Sequence, residues 1–366
     1  MKSQRYILIA DDDQGTLDVW ERDIKDFNGE KDSKVTFVPV FAKDRDAAIS
    51  CLDRTRINCA SVDLRMPLGA GKPATAQAQD AGNDVLERLL IDFGVPAVVY
   101  SGYPQEVSER VRQSPIKVQM KERDGAMKAL RWLADHESLM SAMEASGRKI
   151  AAESARLFSN SIWPRWSTTW RTDDKHLTNV ITRQLASHLA ETLGVPETDF
   201  HPEEFYQVPS LNDDSLATGD LVCIGENIYL VVTPRCNMAR DSYPMNIMLA
   251  LCGSVGEPWQ VIATKFKSGD TKKIESAAKA LKSYATQAHA TATHFLPPCG
   301  GKGPWLADFK EIMTVPSTEV PTLLTTRFAS IAPSFVPNLV QRYAAYLGRI
   351  GQPDLDCEVL RIQLST

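Results

Sequence analysis

Five short apolar runs, separated by amphipathic stretches, fill the first third of this 366-residue chain. They are residues 6–10 (YILIA), 35–40 (VTFVPV), 59–62 (CASV), 97–100 (AVVY) and 116–120 (IKVQM). Each is rich in β-branched or aromatic residues and bounded by polar or turn residues, as strands buried on both faces of a parallel sheet must be. The stretches between them, near 14–28, 44–54, 83–93, 104–113 and 124–135, carry helical periodicity. Five βα units in succession predict an α/β domain, a doubly wound five-stranded parallel sheet, over residues 1–135.

Ligands of such sheets sit at the carboxyl ends of the strands, and the polar residues collect there. Asp11-Asp12-Asp13 close the first run, Asp63 the third, Ser101 the fourth and Lys121 the fifth. Clustered carboxylates raise one another's pKa unless a cation neutralises them. Mg²⁺, a hard ion that takes oxygen ligands, meets that need. A carboxylate so held can act as a nucleophile toward a phosphoryl group, with an ammonium and a hydroxyl steadying the transferring oxygens.

In this order the residues resemble the receiver domain of two-component response regulators, over roughly residues 5–135. The resemblance implies that Asp63, followed by Met66-Pro67, is the phospho-acceptor. It implies that Asp11 and Asp12 hold Mg²⁺ together with Asp63 and the backbone carbonyl of Arg65. Ser101 takes the place of the switch hydroxyl, Lys121 that of the lysine contacting the phosphoryl group, and Tyr103 lies near an aromatic switch position. A histidine kinase is the implied partner. The chain departs from the family pattern twice: Glu122 follows Lys121 where proline is usual, and a small-residue insertion at 68–82 lengthens the span from Asp63 to Ser101.

Residues 126–161 read as one long helix or two in tandem, with Gly147 as an interruption. Leu130, Leu133, Met140, Met143, Ile150, Leu157 and Phe158 form a stripe expected to lack a partner inside the first domain. Such a face packs on a second copy or on the next domain, which predicts a homodimer or an internal dock. Residues 136–172 are the expected helical connector, ending in a tryptophan-rich junction at 162–170 that suits packing.

Residues 173–366 read as an α+β output domain that could include a small β-barrel. The expected elements are a helix at 175–193 closed by Gly194 and Pro196, a hairpin turning at 225–227, and a strand at 258–267. A helix at 271–289, a helix at 335–348 and a last strand at 358–364 follow. Asp213, Asp214, Asp220 and Glu226 with Lys265 and Lys267 suggest a nuclease, but Ala263-Thr264 stand where its further carboxylate belongs. His289, His294 and Cys299 match no zinc spacing. The lysines at 265, 267, 272, 273, 279 and 282 form a solvated face or a phosphate or nucleic-acid contact. The segment Thr233-Pro-Arg-Cys-Asn-Met238 resembles one in uncharacterised domains joined to receivers in bacterial conflict and defence gene clusters, with Asn237 in place of an acidic residue.

A formal net charge of −5 gives no global basic field. No uncharged apolar run reaches the length of a membrane span, and the start, MKSQRYILIADDD, lacks the pattern of a signal peptide. Seven scattered cysteines without a CxxC pair predict reduced thiols in the cytoplasm. The expectation is a response-regulator-like signalling protein that accepts a phosphoryl group on Asp63 and passes the signal to its output domain. Two alternatives stand beside it: a pseudo-receiver adaptor that binds a protein without phosphorylation, and a receiver-switched nuclease or hydrolase.

Overall fold

The computed structural model describes residues 2–71, 80–112, 116–166, 174–194, 199–210, 214–238, 244–349 and 355–365. The chain divides into two compact units, Met1–Leu189 and Ala190–Thr366. No helix among the described residues is long and apolar enough to cross a membrane.

The first unit alternates strand and helix: β1 (Ser3–Ala10), α1 (Gln14–Gly29), β2 (Val35–Ala42), α2 (Arg45–Arg54), β3 (Cys59–Val62), α3 (Ala81–Arg88), β4 (Ala97–Ser101), α4 (Glu109–Arg112), β5 (Lys117–Met120) and α5 (Gly125–Asp135). Then come α6 (Glu137–Leu157), α7 (Trp163–Trp166) and α8 (Asp174–Leu193), which runs across the division between the units. The strands pair in the order β2-β1-β3-β4-β5, all parallel. This is the doubly wound order, and the pleat shows why it forms. Ile7 and Ile9 of β1, with Val98 and Tyr100 of β4, enter a core with Trp20 and Phe27 of α1 and Leu130 and Leu133 of α5. Leu8, Ala10, Val62 and Val99 point the other way, into a core with Leu52 of α2 and Val85 and Leu86 of α3. The inner strands β1, β3 and β4 bury apolar side chains on both faces because both faces are covered, whereas the edge strand β5 leaves Val118 and Met120 exposed.

Three local expectations change. The helix at 104–113 is a 3₁₀ turn, Pro104–Glu106, then the single turn of α4, with residues 113–115 outside the description. Asn83 causes the break: its Nδ2 donates to the Glu106 carbonyl at 3.0 Å and its Oδ1 accepts from the Ser108 amide at 2.9 Å, holding Val107 extended. The 126–161 segment is two helices with a turn at His136, while α6 passes through Gly147 without interruption. Its stripe also has a partner within the unit, since Met140 is buried in the α1–α5 core. Met143, Ile150 and Phe158 stay exposed. Trp163 is exposed against Phe158, and residues 167–170 of the tryptophan-rich junction lie outside the description, as do residues 72–79 of the insertion.

The second unit contains β6 (Tyr206–Gln207), β7 (Asp220–Ile224), β8 (Asn227–Val231), α9 (Arg235–Met238), β9 (Asn246–Ser254), α10 (Glu257–Phe266), α11 (Thr271–Ala285), β10 (Thr293–Leu296), β11 (Trp305–Pro316), α12 (Val320–Thr326), β12 (Arg327–Ile331), α13 (Val336–Leu347) and α14 (Cys357–Leu364). Seven antiparallel strands run in the order β10-β11-β9-β8-β7-β12-β6. The expected hairpin is β7–β8, turning at Gly225 with φ +60°. The sheet is open and no barrel forms among the described residues; a side chain bridges its edges, where Tyr206 Oη donates to the Pro297 carbonyl at 2.8 Å. Residues 258–267, expected as a strand, are α10. Pro258 fits a first helical turn, and Trp259, Ile262 and Phe266 follow helical spacing. The expected last strand is α14, capped by Asp356, whose Oδ1 accepts from the amides of Glu358 and Val359 at 2.9 and 3.2 Å.

Candidate functional site

The carboxyl ends of β1 and β3 bring two acidic groups side by side. The ladder runs past both strands: the Asp63 amide donates to the Ala10 carbonyl at 2.8 Å and the Asp11 amide to the Ala42 carbonyl at 3.0 Å. Asp11 and Asp63 are thus fixed by backbone bonds, and they are buried, at 1% and 7% exposure. Asp12 is exposed, yet its carboxylate joins theirs, one oxygen from each of the three lying within 4.8 Å of the others. Asp13 leaves the group to cap α1, accepting from the Thr16 amide and hydroxyl, each at 2.8 Å.

Lys121 reaches in from the end of β5. Its Nζ lies 2.8 Å from Oδ2 of Asp11 and 2.8 Å from Oδ2 of Asp63. Glu122, in the usual place of proline, leaves this reach intact. It serves the turn instead, its Oε1 accepting from Gln119 Nε2 at 3.1 Å and Lys128 Nζ at 2.7 Å. Ser101 is fully buried, and its Oγ accepts from the Tyr103 amide at 3.2 Å.

One ammonium among three carboxylates leaves the pocket short of positive charge. Burial pushes the Asp11 carboxyl up to about 6, against the pull of Lys121. Burial also raises Asp12. For Lys121, burial opposes the charge, but the hydrogen bonds and charges of Asp11 and Asp63 outweigh it and the pKa is raised. Asp63 Oδ1 is buried and, among the described residues, has no hydrogen-bond partner. A buried carboxylate oxygen without a donor is costly, and a bound cation would satisfy it. The donor set, all oxygen and mostly carboxylate, suits Mg²⁺ better than a transition metal.

The side chain of Arg65 does something its sequence position did not disclose. Its guanidinium forms a two-pronged ion pair with Glu106, with Nε 2.9 Å from Oε2, and stacks 3.5 Å over the Tyr103 ring. Loops after β3 and β4 are thereby strapped together beside the pocket. Two glycines were also missed. A Cβ at Gly82 would fall 2.2 Å from the Asp63 carbonyl oxygen, and one at Gly125 would fall 2.8 Å from Tyr100. Gly125 fell within the expected helix at 124–135, where glycine is unfavourable by itself, and that cost was the available signal; Gly82 closed the expected insertion and gave none.

Elsewhere the suggested clusters disperse. Asp220 is buried and consumed by the fold, accepting from the Ala217 amide at 2.8 Å, Ser330 Oγ at 2.5 Å and Arg327 at 3.2 Å. Asp213 lies outside the description. His289 pairs with Thr293 at 3.0 Å, and His294 is buried and held far toward its neutral form, chiefly by desolvation.

No protein-family profile and no curated protein matches the chain. Among solved structures it is similar to a CheY-like receiver domain protein from Methanospirillum hungatei JF-1, at 18% identity over 38% of this chain and 99% of that one, with a TM-score of 0.29. It is similar to TrrA of Thermotoga maritima in complex with Mg²⁺-BeF, at 14% identity over 37% and 99% with a TM-score of 0.28. With NtrX from Brucella abortus the identity is 16% over 40% and 29%, with a TM-score of 0.30. Over its N-terminal part, then, the chain is similar to response-regulator receiver domains.

Proposed function

We propose that residues 1–135 form a phospho-acceptor domain in which Asp63 takes a phosphoryl group from the phosphohistidine of a histidine kinase. Residues 136–172 connect it to an output domain at 173–366. The observation that carries this reading is the bridging of buried Asp11 and Asp63 by Lys121, 2.8 Å from each, beside Asp12 at the carboxyl edge of a parallel sheet.

Asp11, Asp12, Asp63 and the Arg65 carbonyl would hold Mg²⁺, which when bound neutralises the carboxylates and the incoming phosphoryl oxygens. Asp63 Oδ1 is the oxygen suited to the cation, which leaves Oδ2 to attack phosphorus. The new Oδ2–P bond forms as the P–N bond of the phosphohistidine breaks, and its electron pair returns to the imidazole, which takes up a proton. Lys121 then stands beside the phosphoryl oxygens and Ser101 is the nearby hydroxyl that reorients. The exposed residues Met143, Ile150 and Phe158 on the connector would mediate dimerisation or docking.

Incubation of the full chain with acetyl phosphate and Mg²⁺, followed by peptide mass spectrometry, tests this. Modification should fall on Asp63 and be lost in Asp63→Asn. The alternative outcome is the pseudo-receiver reading, in which the pocket is kept but unused. An unmodified Asp63 in a protein that still folds would establish that reading instead.

A further inference from the structure

Residues 265–282 hold six lysines against Asp270 and Glu275, in a chain whose formal net charge is −5. They lie on the hairpin made by α10 and α11. The hairpin's inner side is set by Ile262 and Ala277, at 6% and 0% exposure. Aromatic contacts clamp it to the edge of the sheet. Trp259 meets Tyr284 edge-on at 6.2 Å, and both meet Phe295 of β10, at 5.8 and 5.2 Å. The charges are therefore presented on a fixed support.

Helical spacing places Lys272, Glu275, Ser276, Lys279 and the half-buried Ser283 on the side of α11 turned away from Ala277, two lysines and two hydroxyls around one carboxylate. Lys265 of α10 joins that side, its Nζ 3.3 Å from Ser276 Oγ. Lys272 and Lys279 are seven residues apart, about 10.5 Å along the axis. Asp270 is spent at the start of α11, where it accepts from the amides of Lys272 and Lys273 at 2.9 and 3.2 Å. Among the described residues none of the six ammonium groups meets a carboxylate.

We propose that this face of the α10–α11 hairpin docks on the phosphodiester backbone of a nucleic acid. Lysines supply the charge that releases counterions, and serine hydroxyls are common donors to phosphate oxygens. On α11 the row contains no apolar side chain, and the hairpin's exposed apolar residues are Val261 and Phe266 of α10, short of the continuous apolar face that an interfacial membrane helix requires. It offers no groove-reading element, so binding is expected without sequence preference. This proposal is independent of phosphorylation at Asp63.

The test uses the full chain with a fluorescein-labelled random-sequence DNA duplex and a labelled single-stranded RNA, read by anisotropy from about 50 to about 200 mM salt. Binding to at least one should weaken steeply with salt. Lys272→Glu/Lys279→Glu should lower affinity at least about tenfold and reduce the log–log salt slope by about two. Lys31→Glu, an exposed lysine on the other unit, should leave both unchanged, and circular dichroism should show every variant folded. No anisotropy change with either probe at the lowest salt overturns the proposal. So does equal affinity in the double variant, or binding to phosphatidylserine vesicles but to neither nucleic acid.

Discussion

Gly82 sits against the carbonyl of Asp63 so closely that a Cβ there would lie 2.2 Å from the Asp63 oxygen and 2.5 Å from the Leu64 Cα. Both neighbours are backbone, and the Gly82 amide also donates to the Leu64 carbonyl at 3.1 Å. Nothing flexible can yield, so α3 can start where it does only without a side chain. Gly82→Ala should destabilise the protein by about 1–3 kcal/mol, the usual cost of overpacking, and should weaken Mg²⁺ binding by displacing Asp63. Urea denaturation and a Mg²⁺ titration check this, and unchanged values in both would contradict the close packing.

Asp11 makes stability depend on pH in an unusual direction. Its folded pKa, about 6, stands above the ordinary 3.8, so the folded state binds more protons than the unfolded state between these values. Stability should fall as pH rises from about 4 to about 6, by about 3 kcal/mol at most from this group. Asp11→Asn should flatten that part of the profile and raise the midpoint near pH 7.5. Mg²⁺ affinity of the parent chain should drop as pH falls through 6, because protons and metal compete for the same carboxylate.

Removing the Lys121 charge strands two buried carboxylates. Lys121→Met should cost about 3–5 kcal/mol without metal, and added Mg²⁺ should restore much of the loss. Lys121→Arg keeps the charge but not the compact shape; it should bind Mg²⁺ nearly normally while failing to couple phosphorylation to structural change. Denaturation with and without Mg²⁺ checks the first expectation, and hydrogen exchange with beryllofluoride the second.

Arg5 anchors the connector. This buried residue of β1 grips Glu137 with both prongs, at 2.8 and 2.5 Å, and touches Glu144 and Ser141, each at 2.5 Å. Arg5→Met should cost about 1–3 kcal/mol by leaving the half-buried Glu137 carboxylate without its guanidinium, while Glu144 keeps Arg56 and Arg148, and should speed exchange across 137–157 more than across α5. A uniform change along both helices would mean that the contact does not hold α6 in place.

The first unit was legible because four of its five strands announce themselves twice, by an apolar run and by the polar residue that ends it. Asp11, Asp63, Ser101 and Lys121 all lie at their expected strand ends. The second unit gave weaker signals. The run at 246–254 is long and apolar, but β9 pairs with β11 across a register shift between Asp308 and Ile312, a distant relation no local pattern encodes. At 258–267 the β-branched residues suggested a strand, whereas the three-and-four spacing of Trp259, Ile262 and Phe266 was the better guide. The strap from Arg65 to Glu106 joins residues 41 positions apart, and pairs of that kind emerge only with the fold.

Strand β1 carries a buried charge of opposite sign near each end, Arg5 and Asp11, six residues and about 20 Å apart. An even separation puts both on the side of the pleat that faces α1 and α5. Sliding the strand by one position would turn both onto the opposite side, parting the guanidinium from Glu137 and the carboxylate from Lys121 in a single step. The two ionic ends therefore work as a proofreading device for assembly: they penalise a one-residue slip of this inner strand twice, where an all-apolar strand would tolerate the slip far more cheaply. Pocket and connector anchor are correct together or wrong together.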